Sequence, residues 1–399
     1  MRILLDKRGK RILTDVNDTI PAEAFQYKLS FINAKTYNFN SCTNNIIHGD
    51  HLFRYHSIGE ITGSLPVLTS GSYMFANNFN SNGPLKSITL DMPNLVTAQY
   101  MVSNNPNLEK VTINAPKLED ATYFFNGCSN LKVANISFPS LTIGKSLFYS
   151  CEKLESVDLS QSTKMNNCEY MFYHCYALKY FNLPDLSHIT SARSLFATCK
   201  SITNADIDLS STTNASYAFY KCSSIKRSSA KFGPLTELNY LFTDCKNLEI
   251  FDGDMSLIDP NTEAYCKDVF RGCDSLHTFN SDLTNLRIGG RLFTFCYSLE
   301  NFSGKLTSLQ TASEMFRHCK LNYNSVTNIL NSIIYENQYA PTEAHVSILT
   351  LGVNSEYKEE VMSYLLQENA TNTTSDDRKL TANITTALGT VWDLEIYWN

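Results

Sequence analysis

Apolar positions recur along most of this chain in a fixed frame of about 23 residues. A Phe followed three residues later by a Cys sets the frame. Phe125/Cys128, Phe148/Cys151, Phe172/Cys175, Phe196/Cys199, Phe219/Cys222, Phe242/Cys245, Phe270/Cys273, Phe293/Cys296 and Phe316/Cys319 all obey it. Successive cysteines are 23, 24, 24, 23, 23, 28, 23 and 23 residues apart. The register continues upstream in weaker form, with Phe75 before Asn78 and Val102 before Asn105, and Phe53 marks one more coil. After each Cys comes a second signature, typified by Leu154-x-x-Val157-x-Leu159 and repeated by Leu85/Ile88/Leu90, Leu108/Val111/Ile113 and Leu178/Phe181/Leu183. Later coils are looser, as in Ile225/Ser228 and Leu248/Phe251, and a Pro-x-Leu often follows, as in Pro93–Leu95 and Pro116–Leu118.

The second half of that signature alternates and is rich in β-branched and aromatic residues, so it predicts a short strand. Proline ends the strand because it has no N–H for the next ladder. The chain is then expected to return through a short helical turn carrying the Met-Phe or Leu-Phe pair, as in Tyr170-Met171-Phe172. One coil cannot bury its own apolar face, whereas stacked coils bury Phe and Leu columns as a continuous core. With neighbouring strands about 4.8 Å apart, the stack would span on the order of 50 Å. The single 28-residue step places an insertion around Met255–Ala264, where a loop can shape a binding face.

The ends lack the period. Residues 1–52 are expected to form an N-terminal cap or attachment segment, with a strand or hairpin over 2–13 that turns at Arg8-Gly9-Lys10. Residues 53–321 are the solenoid. Residues 322–399 read as a small α/β unit that caps the last coil or docks to a partner. Within it, Val326, Ile329, Leu330, Ile333 and Ile334 have helical spacing over 325–335. Val346–Leu351 reads as a strand, 355–368 as a helix with Val361 and Leu365 on one face, and 376–388 as another helix ended by Gly389. Trp392, Leu394, Ile396 and Trp398 alternate with polar residues in a final half-buried strand.

The totals narrow the function. The chain has 399 residues, 43% hydrophobic, with a formal net charge of −6. No long basic run is present, which argues against nucleic acid as partner. No apolar stretch reaches the roughly 18 residues of a membrane span, so membrane insertion is not expected. In MRILLDKRGKRIL, charges interrupt the apolar stretch that a secretory signal needs. The chain is therefore expected to act where it is made, to leave by another route, or to be built into a particle.

The phrases SYMFANN, EYMFYHCYALKYFNLPDL, SLFATCKSI and EMFRHC resemble the BspA-like class of leucine-rich repeats, over about residues 53–321. The family uses Asn or Cys at the position after the Phe pair. The resemblance implies an α/β fold: a leucine-rich-repeat solenoid of about eleven coils with a parallel sheet on one face, plus a small C-terminal α/β capping unit. It also implies protein or glycan binding without catalysis, in a surface, secreted or phage-encoded setting. Without a classical signal peptide, a virion or cell exterior is the expected location, a tail-associated phage protein the favoured version, and a cytoplasmic adaptor or effector the alternative.

Several residue groups have the types that chemistry uses. The cysteines come one per coil and point the same way, which suits neither disulfides, which need facing Cβ vectors, nor four-ligand zinc. They read as small buried hydrophobes. Cys42, Cys168 and Cys266 lie outside the column. His48-Gly49-Asp50-His51, with His56 and Cys42 nearby, has metal-ligand residue types but reads as a polar turn. No G-x-S-x-G, P-loop, G-x-G-x-x-G or H-E-x-x-H is present, so neither an enzyme nor a cofactor is expected. His174 and His318 read as variable positions before column cysteines, and Asp376-Asp377 as a helix start.

The strand face carries the candidate site. The outward residue between the last two apolar positions reads Thr89, Thr112, Asn135, Asp158, Asn182, Asp206, Ser229, Asp252, Asn280 and Ser303, all short and polar. The neighbouring outward column is mixed and contains Tyr180 and Arg227. Such residues either ladder with one another or line a groove for sugar hydroxyls or a polar peptide. The candidate ligand face is Asn135, Asp158, Tyr180, Asn182, Asp206, Arg227, Asp252 and Asn280. The expected partner is a protein or glycan ligand. A contrasting expectation is an architectural subunit that binds only other virion subunits.

Overall fold

The computed structural model describes residues 4–5, 11–12, 33–41, 46–55, 57–77, 84–259, 266–336, 348–375, 378–385 and 391–399. The chain divides into two compact units, Met1–Ile189 with Thr198–Lys200, and Thr190–Ala197 with Ser201–Asn399. Coils of a leucine-rich-repeat solenoid build both.

In the first unit, β1 (Leu4–Leu5) and β2 (Arg11–Ile12) pair antiparallel, as expected for a hairpin there. The turn at 8–10 lies outside the described residues. Seven strands then form one parallel sheet in chain order. They are β3 (Asn33–Asn38), β4 (Ser57–Ser64), β5 (Ser87–Asp91), β6 (Lys110–Asn114), β7 (Val133–Ser137), β8 (Ser156–Asp158) and β9 (Tyr180–Asn182). Alternation drives them: in β6, Val111 and Ile113 are buried while Lys110, Thr112 and Asn114 are exposed. The register follows the repeat, so Thr112 lies beside both Thr89 and Asn135. The sheet begins upstream of residue 53, because Asn33 pairs with Ser57 and Asn38 with Thr62.

The expected helical turn behind the sheet is not what forms. The chain runs there as linked turns, with residues of positive φ two before the Phe and one before the Cys. Examples are Tyr123 (55°), Gly127 (72°), Tyr170 (55°) and His174 (61°). Alternate N–H groups donate to the next coil, from Ala121, Tyr123, Phe125 and Gly127 to the carbonyls of Ile143, Lys145, Leu147 and Tyr149 at 3.0, 2.9, 2.9 and 2.8 Å. The N–H groups between them close turns within the coil, as from Phe124 to Ala121 and from Cys128 to Phe125, both 3.1 Å. A helix would send every N–H back along its own coil. Alternation instead makes a second coil-to-coil ladder. A non-glycine left-handed residue costs roughly 1–2 kcal/mol. Ring stacking helps offset it: Tyr73 stacks on Tyr100, and Tyr100 on Tyr123, both at 4.7 Å between centroids. His174 and His318 (φ 68°) occupy these left-handed positions, so they are conformationally constrained rather than simply variable.

In the second unit the solenoid strands are short. They are β10 (Asp208–Leu209), β11 (Arg227–Ser228), β12 (Lys231–Phe232), β13 (Ile250–Phe251), β14 (Thr278–Phe279) and β15 (Asn301–Phe302). β10 pairs with β12, and β11-β13-β14-β15 form a parallel sheet. The polar Ser228 at an inward position, fully buried, marks where the motif loosened. Next come β16 (Ala312–Leu321), helix α1 (Tyr323–Ile334), β17 (Ile348–Val353), helix α2 (Lys358–Gln367), β18 (Thr371–Ser375), β19 (Lys379–Thr385) and β20 (Val391–Trp398). A five-stranded sheet has the order β16-β17-β20-β19-β18. Asn322 caps α1 by accepting from the Ser325 N–H at 2.9 Å, and all five apolar residues expected on its inner face are buried. α2 buries Val361 and Leu365 as expected.

The helix expected over 376–388 is overturned: Lys379–Thr385 is a strand. Leu380, Ala382 and Ile384 are buried and pair across β20 with Ile396, Leu394 and Trp392. Their alternation with Thr381, Asn383 and Thr385 has period two, and threonine is stiff at χ1. That pattern outweighs Gly389 as a stop signal. Residues 376–377 and 386–390 lie outside the described residues.

The second unit's core is a phenylalanine column. Phe196, Phe219, Phe242, Phe270, Phe293 and Phe316 stack at centroid distances of 5.7, 4.9, 5.3, 5.4 and 5.2 Å, with planes within 14°. Phe242→Ala, which opens a hole between two stacked rings, is expected to cost about 3–5 kcal/mol. Urea unfolding of the purified variant reads this. A loss below about 1 kcal/mol would show that the column adds little to coil stacking.

Candidate ligand-binding face

The site is built by the last strands of the first unit. β7, β8 and β9 are in register, so Ser156 neighbours Val133 and Tyr180, and Asp158 neighbours Asn182. Their outward side chains line a concavity of about 590 Å³ together with Thr112, Asn114, Ser137 and Gln161. Four sequence-nominated residues meet there: Asn135, Asp158, Tyr180 and Asn182. Tyr180 is 67% exposed and Val133 is 41% exposed. The Lys179 ammonium lies over the Tyr180 ring, 5.8 Å from its centroid.

Asp158 is pre-set as an acceptor. Its Oδ1 accepts from the Ser160 hydroxyl at 2.7 Å and the Ser160 N–H at 2.9 Å. Those bonds, with a further one from Asn182, hold the carboxyl below its ordinary range. Asn135 and Tyr180 make no side-chain hydrogen bond among the described residues, which leaves their polar groups available.

Asp206, Arg227, Asp252 and Asn280 fall in the second unit, where they are committed to one another and to their neighbours. Asp206 Oδ1 accepts from both the N–H and the hydroxyl of Ser229 at 2.6 Å. Arg227 pairs with Asp252 at 2.5 Å. Asn280 donates to Asp252 at 2.7 Å and accepts from Ser303 at 3.2 Å. In that unit the polar column is a hydrogen-bonded ladder.

The turn at His48–His51 is structural. Asp50 accepts from the Ser70 hydroxyl at 2.5 Å and the Ser72 N–H at 2.6 Å, and His51 stacks on Tyr73 at 4.9 Å. Cys42 and His56 lie outside the described residues. Among the described residues, no three His, Cys, Asp or Glu side chains converge as a metal site.

The cysteines do more than fill space. Each column thiol donates to a backbone carbonyl of the preceding coil. In the first unit Cys128 reaches Val102, Cys151 Phe125, Cys175 Phe148 and Cys199 Phe172, at 3.1–3.3 Å. In the second unit Cys222, Cys245, Cys273, Cys296 and Cys319 reach Phe196, Phe219, Phe242, Phe270 and Phe293 at 3.0–3.3 Å. Asn105 fills the same role through its amide, 2.9 Å from the Phe75 carbonyl. The shared property of Asn and Cys at this position is a donor, and that interchange was the signal in the sequence.

Stacked strand-and-turn coils, with an Asn or Cys donor once per coil at Asn105 and the nine column cysteines, mark a leucine-rich-repeat protein. The chain belongs to the BspA-type leucine-rich-repeat family: the family pattern of the BspA type leucine rich repeat region matches in six copies, over residues 13–132, 48–168, 142–266 and 238–340. Among solved structures, it is similar to a leucine-rich repeat protein from Bacteroides ovatus, at 15% identity and a TM-score of 0.37, covering 74% of this chain and 78% of that one. It is also similar to one from Eubacterium ventriosum, at 13% identity and a TM-score of 0.34, covering 66% and 84%. A third is the pneumococcal vaccine antigen PcpA, at 15% identity and a TM-score of 0.29, covering 83% and 87%. No curated protein is similar to the chain in sequence. Among the described residues no helix is long and apolar enough to cross a membrane.

Burial pushes the thiols of Cys128, Cys168 and Cys266 up from 9.0 to about 12. The folded state therefore keeps these protons where the unfolded chain releases them. The stability they contribute is whole below pH 9 and falls as pH rises from 9 towards 12. Ellman's reagent at about pH 8, below that window, is expected to leave these thiols unmodified until denaturant is added. The melting temperature is expected to drop above about pH 9. Rapid labelling of more than one thiol per native chain, Cys42 being outside the described residues, would refute their burial.

Proposed function

We propose that this is a non-catalytic recognition protein that takes a glycan or a surface protein on the outward face of β7, β8 and β9. The observation that carries the reading is the concavity there, where Asn135 and Tyr180 present side chains with no hydrogen-bond partner among the described residues, beside the oriented Asp158. In the second unit the same outward column is used up in its own ladder. In this reading the protein is displayed on the exterior of a particle or cell, a phage virion in its favoured version, and the face is turned towards a host surface.

The test is binding of labelled protein to a panel of intact bacterial cells. Saturable binding is expected, with Asp158→Ala and Tyr180→Ala each weakening it about tenfold or more, roughly 1.4 kcal/mol. Asp252→Ala, which opens the second unit's ladder, is expected to leave affinity unchanged. Equal loss in all three variants would remove the special role of the concavity. Binding to no cell would leave the fold as an architectural element.

A further inference from the structure

We infer that the ligand of this face is a neutral saccharide, with a sugar ring lying on Tyr180 and hydroxyl groups read by Asn182, Asp158 and Asn135. The inference rests on the recognition role proposed above.

Three features lead to it. The first is charge. Of the fifteen residues lining the concavity, Asp158 alone carries one. A uronate or a sulfated sugar would meet the Asp158 carboxylate inside the concavity, with the Lys179 ammonium over Tyr180 but outside the lining, and a basic peptide would find one counter-charge. A neutral hydroxyl donor is what one oriented carboxylate suits.

The second is the pairing of an aromatic ring with amides. Tyr180 and Asn182 are two residues apart on β9, so they share a face with roughly 6.6 Å between them. A pyranose has an apolar C–H face and a rim of hydroxyls. Its C–H face can cover the side of the Tyr180 ring that the Lys179 ammonium does not occupy, while its rim reaches groups a few ångströms away. Asn135 offers donor and acceptor, and Asn182, which already donates to Asp158, adds its amide oxygen; a hydroxyl needs both kinds of partner. The concavity of about 590 Å³ lies within the usual range for small-ligand sites.

The third feature concerns backbone. β8 is paired on both sides, to β7 and β9, so its N–H and C=O groups are spent in the ladders. An extended peptide gains affinity by adding to a free strand edge; β7 and β8 offer none, and only β9 ends the sheet. Over β7 and β8 side chains alone must do the recognising, which favours a ligand whose polar groups are all on its rim.

Two measurements test this. In the first, cells that bind the protein are treated separately with periodate, which cleaves vicinal diols, and with protease. Loss after periodate alone is expected. Loss after protease alone overturns the saccharide while leaving the recognition role standing. In the second, wild type, Tyr180→Ala and Tyr180→Phe are titrated calorimetrically with oligosaccharides of glucose, galactose and mannose, and with oligogalacturonate. At least one neutral series is expected to bind, at least tenfold more tightly than the uronate. Tyr180→Phe is expected to keep that affinity within about twofold, and Tyr180→Ala to lose tenfold or more. Binding of the uronate as tightly as the neutral series, no binding of any neutral series, or equal behaviour of the two variants would overturn the inference. Circular dichroism of each variant shows that the fold is kept. Failure of every cell to bind would instead count against the recognition role itself.

Discussion

Everything in this protein answers to the distance between one coil and the next. Parallel strands lie about 4.8 Å apart, and every group that repeats once per coil must tolerate its own copy at nearly that spacing. Flat rings do so by stacking: the outer tyrosines sit at 4.7 Å and the inner phenylalanines at 4.9–5.7 Å, with planes close to parallel. The spacing also explains the left-handed residues. With them, the turns present alternate N–H groups to the next coil, so the side opposite the sheet acquires a ladder of its own.

Stacking by itself would leave buried carbonyls short of donors. The Phe125 carbonyl accepts from the Cys128 N–H in its own coil and from the Cys151 thiol in the next, so both its lone pairs are used. A thiol is a weak donor but a compact apolar group, and it suits a site with no room for water. Asn105 shows that a stronger donor also fits where the neighbouring Val102 is smaller than Phe. The cysteine column is thus hydrogen-bonding equipment for a dry interior. Its high thiol pKa values follow from that interior, and they set it apart from a reactive or metal-binding array.

The repeat made much of this legible. A period of about 23, an alternating strand segment and a proline stop were enough to place β5 to β9 and to name the outward column. What escaped had no single-residue signature. Left-handed residues in the turns are Tyr, His, Ser and Asp as readily as Gly, so the conformation is imposed by the ladder and not by the residue. β3 escaped because it was fixed by its partner β4 and no Phe-x-x-Cys stands before it, Phe39/Cys42 coming after the strand. In β19 the signals conflicted: Asp376-Asp377 and Gly389 marked helix ends, while Leu380, Ala382 and Ile384 alternated. The sheet partner β20 decided the outcome. The site residues were found by column, yet the column's fate differs between the units. A column rule sees which way a side chain points and cannot see whether its neighbour already satisfies it.

That difference is what the proposed recognition role of one stretch of a repetitive sheet rests on. A column of identical short polar residues would bond along itself and present little to a ligand, as Asp252, Asn280 and Ser303 do in the second unit. Around β7 to β9 the neighbouring outward column breaks the monotony. Val133, Ser156 and Tyr180 differ in size, so Tyr180 and Val133 stand above Ser156 and leave a hollow between them. Asn135 lies beside residues that do not engage it, and Asp158 is turned by Ser160 on its own strand's exit. In the proposed reading, specificity comes from departures from the repeat, placed on a scaffold whose spacing the repeat makes rigid. The departures cost little stability, because outward residues carry none of the core. A solenoid can therefore change what it binds without changing how it folds.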